Sequence, residues 1–151
     1  MANKFYIEPD AHVLVAGATG TGKSFLAPVS TSQVGIFNVT FEPGCRNNWH
    51  IYHAKSGGGQ ILICIAGRGY YQEEGKEEVE MKPGDCVNIP AEVKHWHGAA
   101  PDEWFSHLAI EVPGENSSNE WLEPVSDEEY RKLIESRVEK EGLQAIYEEA
   151  K

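Results

Sequence analysis

Gln60-Ile61-Leu62-Ile63-Cys64-Ile65-Ala66-Gly67-Arg68-Gly69-Tyr70-Tyr71-Gln72-Glu73 is the stretch whose reading decides the fold. Residues 60–66 are apolar at both alternating phases, which describes a strand buried on both faces and therefore covered from outside. Gly67-Arg68-Gly69 breaks that strand, and extended character resumes at Tyr70. Glu74-Gly75-Lys76 then forms a hairpin tip before Glu77 to Met81. Lys82-Pro83-Gly84-Asp85 turns the chain again, and Cys86 to Ile89, Lys94 to His97 and Trp104 to Val112 supply further strands. Upstream, Gly35 to Phe41 stops at Glu42-Pro43-Gly44, and Trp49 to His53 is another run. Turn signals at this density predict an all-β barrel or sandwich.

Beyond Pro113-Gly114 the character changes. Asn116-Ser117-Ser118-Asn119 reads as loop. Ser126-Asp127-Glu128-Glu129 is a capping box, a serine N-cap with glutamate three residues on, and Tyr130, Leu133, Ile134 and Val138 recur at helical spacing. Gly142 is expected to end or kink this helix, with Leu143, Ile146 and Tyr147 continuing a second short one. The organisation is then an N-terminal arm or strand over 1–34, a barrel over 35–114, and a loop with an acidic helix over 115–151.

The whole chain has 151 residues, room for one domain. Twenty-four acids against 13 Lys and Arg give a net charge of −11, with 11 acids and five basic residues from Glu115 onward. That balance opposes nucleic acids and anionic membranes, whose phosphates need a basic surface. No apolar run approaches the roughly 18–20 residues of a spanning helix. The first ten residues show no apolar segment of a secretory signal. Cys45, Cys64 and Cys86, odd in number and without a paired CxxC, fit a reducing cytoplasm.

Residues 17–24, Gly17-Ala18-Thr19-Gly20-Thr21-Gly22-Lys23-Ser24, match the phosphate-loop pattern GxxxxGKS. A phosphate loop needs a helix N-terminus after it. Pro28 falls four residues past Ser24, where it would remove a helical hydrogen bond, and by Gly35 the chain reads as strand. Nucleotide binding is therefore the weaker reading of this arm.

Four of the six histidines lie in two clusters, His50 with His53 and His95 with His97. Imidazole is the commonest metal ligand, and residues two apart on a strand share a face. Around them, five residues lie between Gly44 and His50, and six between Gln60 and Gly67. Pro83-Gly84-Asp85 precedes Ile89-Pro90-Ala91-Glu92-Val93-Lys94-His95. These spacings resemble the two motifs of the cupins. Glu92 stands where a glycine is usual, and Gln60 where glutamate is frequent. The likeness extends through His107-Leu108-Ala109-Ile110-Glu111 to Glu120-Trp121-Leu122-Glu123-Pro124-Val125. It points to small single-domain cupins related to the hydroxynitrile lyases and to proteins associated with carboxymuconolactone decarboxylases.

The resemblance implies a jelly-roll-like β-barrel, a homodimer or homotetramer with N-terminal strands exchanged, one divalent metal ion (Mn, Fe, Zn or Ni) and a small organic ligand. Carried over by position, His50, Gln60 and His95 are the metal ligands. The place two residues after His50 holds Tyr52 where relatives have histidine. His53 has the opposite parity and is expected to face outward. His97 and His107 become the proton-handling residues of a lyase-like or dioxygenase reaction, and Phe41, Asn47, Tyr52 and Glu111 line the ligand pocket. The alternation of Leu108, Ile110 and Val112 taken alone would put His107 and Glu111 outside; the resemblance puts them inside. A strand rise of about 3.3 Å per residue sets His97 about 7 Å beyond His95, a distance suited to substrate and not to the ion. The competing reading is a non-catalytic metabolite-binding module whose metal site Tyr52 has degraded.

Overall fold

The computed structural model describes residues 14–15 and 20–150, with side chains from residue 22 onward. Its strands are β1 (Leu14–Val15), β2 (Gly20–Thr21), β3 (Ser24–Ser30), β4 (Gly35–Phe41), β5 (Arg46–Asn47), β6 (His50–His53), β7 (Ser56–Gly57) and β8 (Gln60–Gly67). They continue as β9 (Gly69–Glu73), β10 (Val79–Met81), β11 (Cys86–Ile89), β12 (His95–Ala99), β13 (Phe105–Glu111), β14 (Gly114–Glu115) and β15 (Ser118–Trp121), followed by helix α1 (Asp127–Glu149). One sheet runs β1-β3-β4-β13-β8-β11. A second runs β10-β9-β12-β5-β2, with β6 joined to β12 and β15 joined to β6. Every strand pair among the described residues is antiparallel, for example β13 between β4 and β8 and β12 beside β9. The all-β expectation holds.

The two sheets face each other across one core built on Val39, Phe41, Leu62, Tyr71, Met81 and Phe105. Strand β8 alternates strictly. Gln60, Leu62, Cys64 and Ala66 are buried inward, while Ile61, Ile63 and Ile65 look outward and stay partly exposed. On β13, Phe105, His107 and Ala109 take the buried phase and Leu108 and Ile110 the outer one. A register shift between Ser106 and His107 accompanies this phase. The apolar outer residues of β8 and β13 thus form a half-covered face of the first sheet.

The second sheet is covered by α1. Trp49, Tyr70 and Trp96 on its outer side pack against Val125, Tyr130 and Leu133. The capping box forms as read: the Glu129 N–H donates to Ser126 Oγ at 3.1 Å and the Ser126 N–H donates to Glu129 Oε2 at 2.8 Å. Arg46 fastens the helix start. Its Nε donates to the Val125 carbonyl at 3.1 Å, its guanidinium pairs with Asp127, and it lies 4.5 Å from the Tyr130 ring. Tyr130 Oη donates to the Ala99 carbonyl at 2.6 Å.

Two local expectations are corrected. The helix continues through Gly142 to Glu149 without a break; a lone glycine costs about 1 kcal/mol against alanine, too little to end a helix supported on both sides. The loop-like Ser118-Asn119 stretch is the start of β15, which pairs with β6 and sets Asn119 beside Tyr52 and Trp121 beside His50. Asn and Ser are poor strand formers, yet an edge pairing with β6 supplies the ladder that their composition does not announce. Ser24 opens strand β3, which runs through Pro28 with a register shift between Pro28 and Ser30. Proline is tolerated in a sheet at such an irregularity. No helix follows the GxxxxGKS pattern, whose residues 17–19 lie outside the described ones, so the physical requirement for a phosphate loop is not met.

Candidate metal centre and cavity

His50 leads β6, and His95 and His97 share the inner face of β12. His50 and His95 are register partners across the two strands. This pairing brings one ring nitrogen of each of His50, His95 and His97 within 4.8 Å of one another, all three side chains buried. His97 is therefore nearer the other two than strand rise alone predicts, its ring centroid 5.5 Å from that of His50 and 6.2 Å from that of His95.

Two of the three imidazoles are oriented by the backbone. His50 Nδ1 lies 2.8 Å from the Asn48 carbonyl, and His95 Nδ1 lies 2.9 Å from the Val93 carbonyl. A carbonyl accepts only, so each Nδ1 carries the proton and each Nε2 presents a lone pair. Both Nε2 atoms are buried without a hydrogen-bond partner, as is Oε1 of Gln60. Leaving such acceptors unpaired costs about 1–3 kcal/mol each. Two imidazole nitrogens and an amide oxygen suit a divalent transition metal, and backbone-held Nδ1 protons are the usual support of metal-bound histidine. The residues present fit the ion.

Burial keeps these rings neutral. The His50 imidazole is pushed down to about 3 by burial and by the neighbouring His95. His95 is lowered by burial as well. His97 is held well below its ordinary range by burial, then by His107, His50 and His95 around it. His107 is pushed down to about 3 by burial alone. Metal ligation and proton acceptance both require the neutral form.

A cavity of about 220 Å³ opens on this cluster. His50, Gln60 and His97 are among its polar lining, and Leu26, Phe37 and Val39 among its apolar lining. Phe41, Asn47, Tyr52 and Glu111, read from the sequence as pocket residues, all line it. His95 and His107 stand behind that lining. His107 is fully buried, stacked 4.6 Å from Phe105 and edge-on to His97 at 4.8 Å, so it reaches the cavity through His97. Asn47 defines His97 in turn: its Oδ1 accepts the His97 backbone N–H at 3.0 Å, which leaves Nδ2 to donate to His97 Nε2, also at 3.0 Å. Among the described residues no lysine or arginine lines the cavity.

Tyr52 does not stand alone at its position. Gln60 Nε2 donates to the Tyr52 hydroxyl at 3.0 Å. Burial, and Glu111 facing it, raise the phenol above its ordinary value, so it stays a neutral hydroxyl. His53 faces outward as its parity predicts and bridges Glu92 at 2.5 Å and Glu120 at 2.6 Å. Glu92, in the place of a motif glycine, adopts φ 68°.

Sequence reasoning missed the wall contributed by β15. Asn119 and Trp121 line the cavity, and the Trp121 ring lies 4.6 Å from His50. The available signal was a tryptophan in a polar stretch, too large to leave in solvent without reason. Ser24 and Leu26 of β3 complete the wall from the arm side.

Two facing antiparallel sheets with histidines converging between them define a cupin, and residues 37–111 match the family described as Cupin domain. The chain belongs to the cupin family. It is 45% identical over 108 residues to an (R)-mandelonitrile lyase of Granulicella tundricola, covering 72% of this chain and 79% of that one. It is also similar to a cupin-like protein of Thermotoga maritima of known crystal structure, at 42% identity and a TM-score of 0.69, covering 78% of this chain and 90% of the other. A putative sugar phosphate isomerase of Acidithiobacillus ferrooxidans shares the fold at 19% identity and a TM-score of 0.55, over 66% of this chain and 65% of that one. No helix among the described residues is long and apolar enough to cross a membrane.

Proposed function

We propose that this chain is a metal-dependent lyase acting on a small, uncharged hydroxy compound of the cyanohydrin type. The observation that carries the reading is the set of buried acceptors without a hydrogen-bond partner, His50 Nε2, His95 Nε2 and Gln60 Oε1, two of them on residues that line the cavity. These three atoms are the ligands we assign to one divalent ion (Mn, Fe, Zn or Ni). When bound, such an ion supplies Lewis-acid polarisation of a substrate oxygen.

The remaining steps belong to side chains. The apolar wall of Phe37, Val39 and Leu26 holds the hydrocarbon part of the ligand and keeps water out. His97 lines the cavity, and its Nε2 already accepts from Asn47 while the other two imidazoles have unpartnered Nε2 atoms. We therefore assign it to the proton and not to the ion. It gives up the Asn47 hydrogen bond to take the hydroxyl proton on Nε2 as the carbon–carbon bond to the nitrile breaks, and returns it to the departing cyanide, so that an aldehyde and hydrogen cyanide leave. His107 supports that ring from behind. A wall without lysine or arginine, carrying Glu111, offers anionic substrates no counter-charge. This favours a neutral substrate, in keeping with the mandelonitrile of the relative's name.

The half-covered outer face of the first sheet supports a homodimer or homotetramer, and the free cysteines a reducing cytoplasm. Tyr52 in place of a histidine is what favours the alternative, a non-catalytic metabolite-binding cupin. One experiment separates them: elemental analysis of the purified protein, together with aldehyde release from mandelonitrile before and after chelation. Bound metal with chelator-sensitive turnover supports the lyase. Protein that carries no metal and turns nothing over leaves the binding module.

A further inference from the structure

The position two residues after His50 need not be a lost ligand. We propose that Tyr52 is a positioning residue for the metal centre: its hydroxyl holds the nitrogen end of the Gln60 amide and thereby turns the oxygen end toward the imidazoles. The inference rests on the metal-centre reading above and adds a role for a residue outside the ligand set.

The amide of Gln60 has two ends of opposite character, two N–H donors and one carbonyl acceptor. Only the carbonyl can serve a cation. Gln60 is buried, 3% exposed, on the inner face of β8, so neither end reaches bulk water freely. The structure supplies a partner for one end alone: Nε2 donates to Tyr52 Oη at 3.0 Å, and Oε1 has none. Tyr52 is itself placed among the ligands, its ring 5.6 Å from His50 and 6.0 Å from His95.

An imidazole at residue 52 could not take this part while ligating. Its lone pair would go to the ion, and the amide nitrogen would be left without an acceptor on that side. Tyrosine offers an acceptor oxygen without needing to ionise, and the buried, Glu111-facing phenol is kept neutral. A hydrogen bond donated by the amide nitrogen also draws electron density onto the carbonyl oxygen, strengthening it as a donor to a cation. Partners of this outer kind contribute about 10–100-fold to metal affinity. Tyr52 thus removes one nitrogen from the centre and improves the oxygen that remains.

The test is a titration with Mn(II), free ion followed by electron paramagnetic resonance, on the full chain and on Tyr52→Phe, Gln60→Leu and the double variant. Tyr52→Phe is expected to weaken binding about 10–100-fold. Because Tyr52 acts through Gln60, the double variant is expected to bind no more weakly than Gln60→Leu alone. Unfolding of the metal-free proteins provides the structural readout, and Tyr52→Phe is expected to melt close to the parent. Unchanged affinity in Tyr52→Phe overturns the role, as does a double variant whose losses multiply. A visible charge-transfer band on Fe(III) loading that disappears in Tyr52→Phe would make Tyr52 a ligand and also overturn it. If the parent chain takes up no Mn, Fe, Zn or Ni, the metal-centre reading itself fails, an outcome distinct from metal uptake indifferent to Tyr52.

Discussion

Acidification from about pH 7.5 to about pH 5 should destabilise the metal-free protein strongly, through imidazoles that the fold keeps uncharged. His50 and His107 fall to about 3 from an ordinary value of 6.5, both because they are buried. In the unfolded chain each binds a proton as pH falls through 6.5; in the folded chain it does not. The unfolded state therefore binds more protons over this window, and stability present above 6.5 is lost as pH drops. At about 1.4 kcal/mol per pH unit, each ring costs about 2 kcal/mol by pH ~5, or about 4 kcal/mol for the pair. His95 and His97 push in the same direction. Carboxylates titrate near ~4 and contribute little above pH ~5. His53 has the opposite sign, since Glu120 and Glu92 raise it and favour its charged form, but it is solvent-facing and weak. The assay is urea unfolding with chelator at the two pH values, on the parent and on His107→Phe. The substitution keeps the ring's contacts with Phe105 and Phe41 and should recover about 2 kcal/mol of the acid loss. Equal stability of the parent at both pH values would refute the reasoning. So would a His107→Phe protein that loses as much as the parent.

Metal content and turnover measured on the same His97→Ala samples should show the ion retained and the rate reduced by roughly 10²–10⁴-fold; loss of the ion would make His97 a ligand. Gly59 sits at φ +92°, and a Cβ there would meet the Ile89 carbonyl oxygen at 2.2 Å. Gly59→Ala should lower the unfolding free energy by more than the roughly 1–2 kcal/mol of left-handed backbone alone, read as a shift in denaturation midpoint. Tyr130→Phe removes the hydrogen bond to the Ala99 carbonyl and should cost about 1 kcal/mol, with α1 helicity in circular dichroism retained under native conditions.

What could be read from the sequence was what short-range chemistry controls. The turns at Glu74-Gly75-Lys76 and Pro83-Gly84-Asp85 place β9 to β11, and the capping box places α1, because each signal is complete within four or five residues. Strand parity correctly sends Leu62 in with Gln60 and His53 out. Parity says nothing of depth, however. His97 lines the cavity and His107 stands behind it although both face inward. Position 52 shows the other limit: a spacing argument registers a missing imidazole but not the bond from Gln60, eight residues away on another strand. β15 was hidden because its ladder comes entirely from a strand some 65 residues earlier.

That last pairing has a consequence for the order of assembly. Strand β4 waits for β13 across about 70 residues, and the cavity's outer wall waits longer still, until Trp121 arrives beside His50. Loops of this length are slow to close, since their entropy must be met before contacts return it. On a chain emerging from the ribosome, the histidines of β6 and β12 are synthesised well before the strand that encloses them. The chamber is therefore finished by the C-terminal third of the chain. A nascent protein stalled before residue 118 would hold those histidines without the wall that β15 adds.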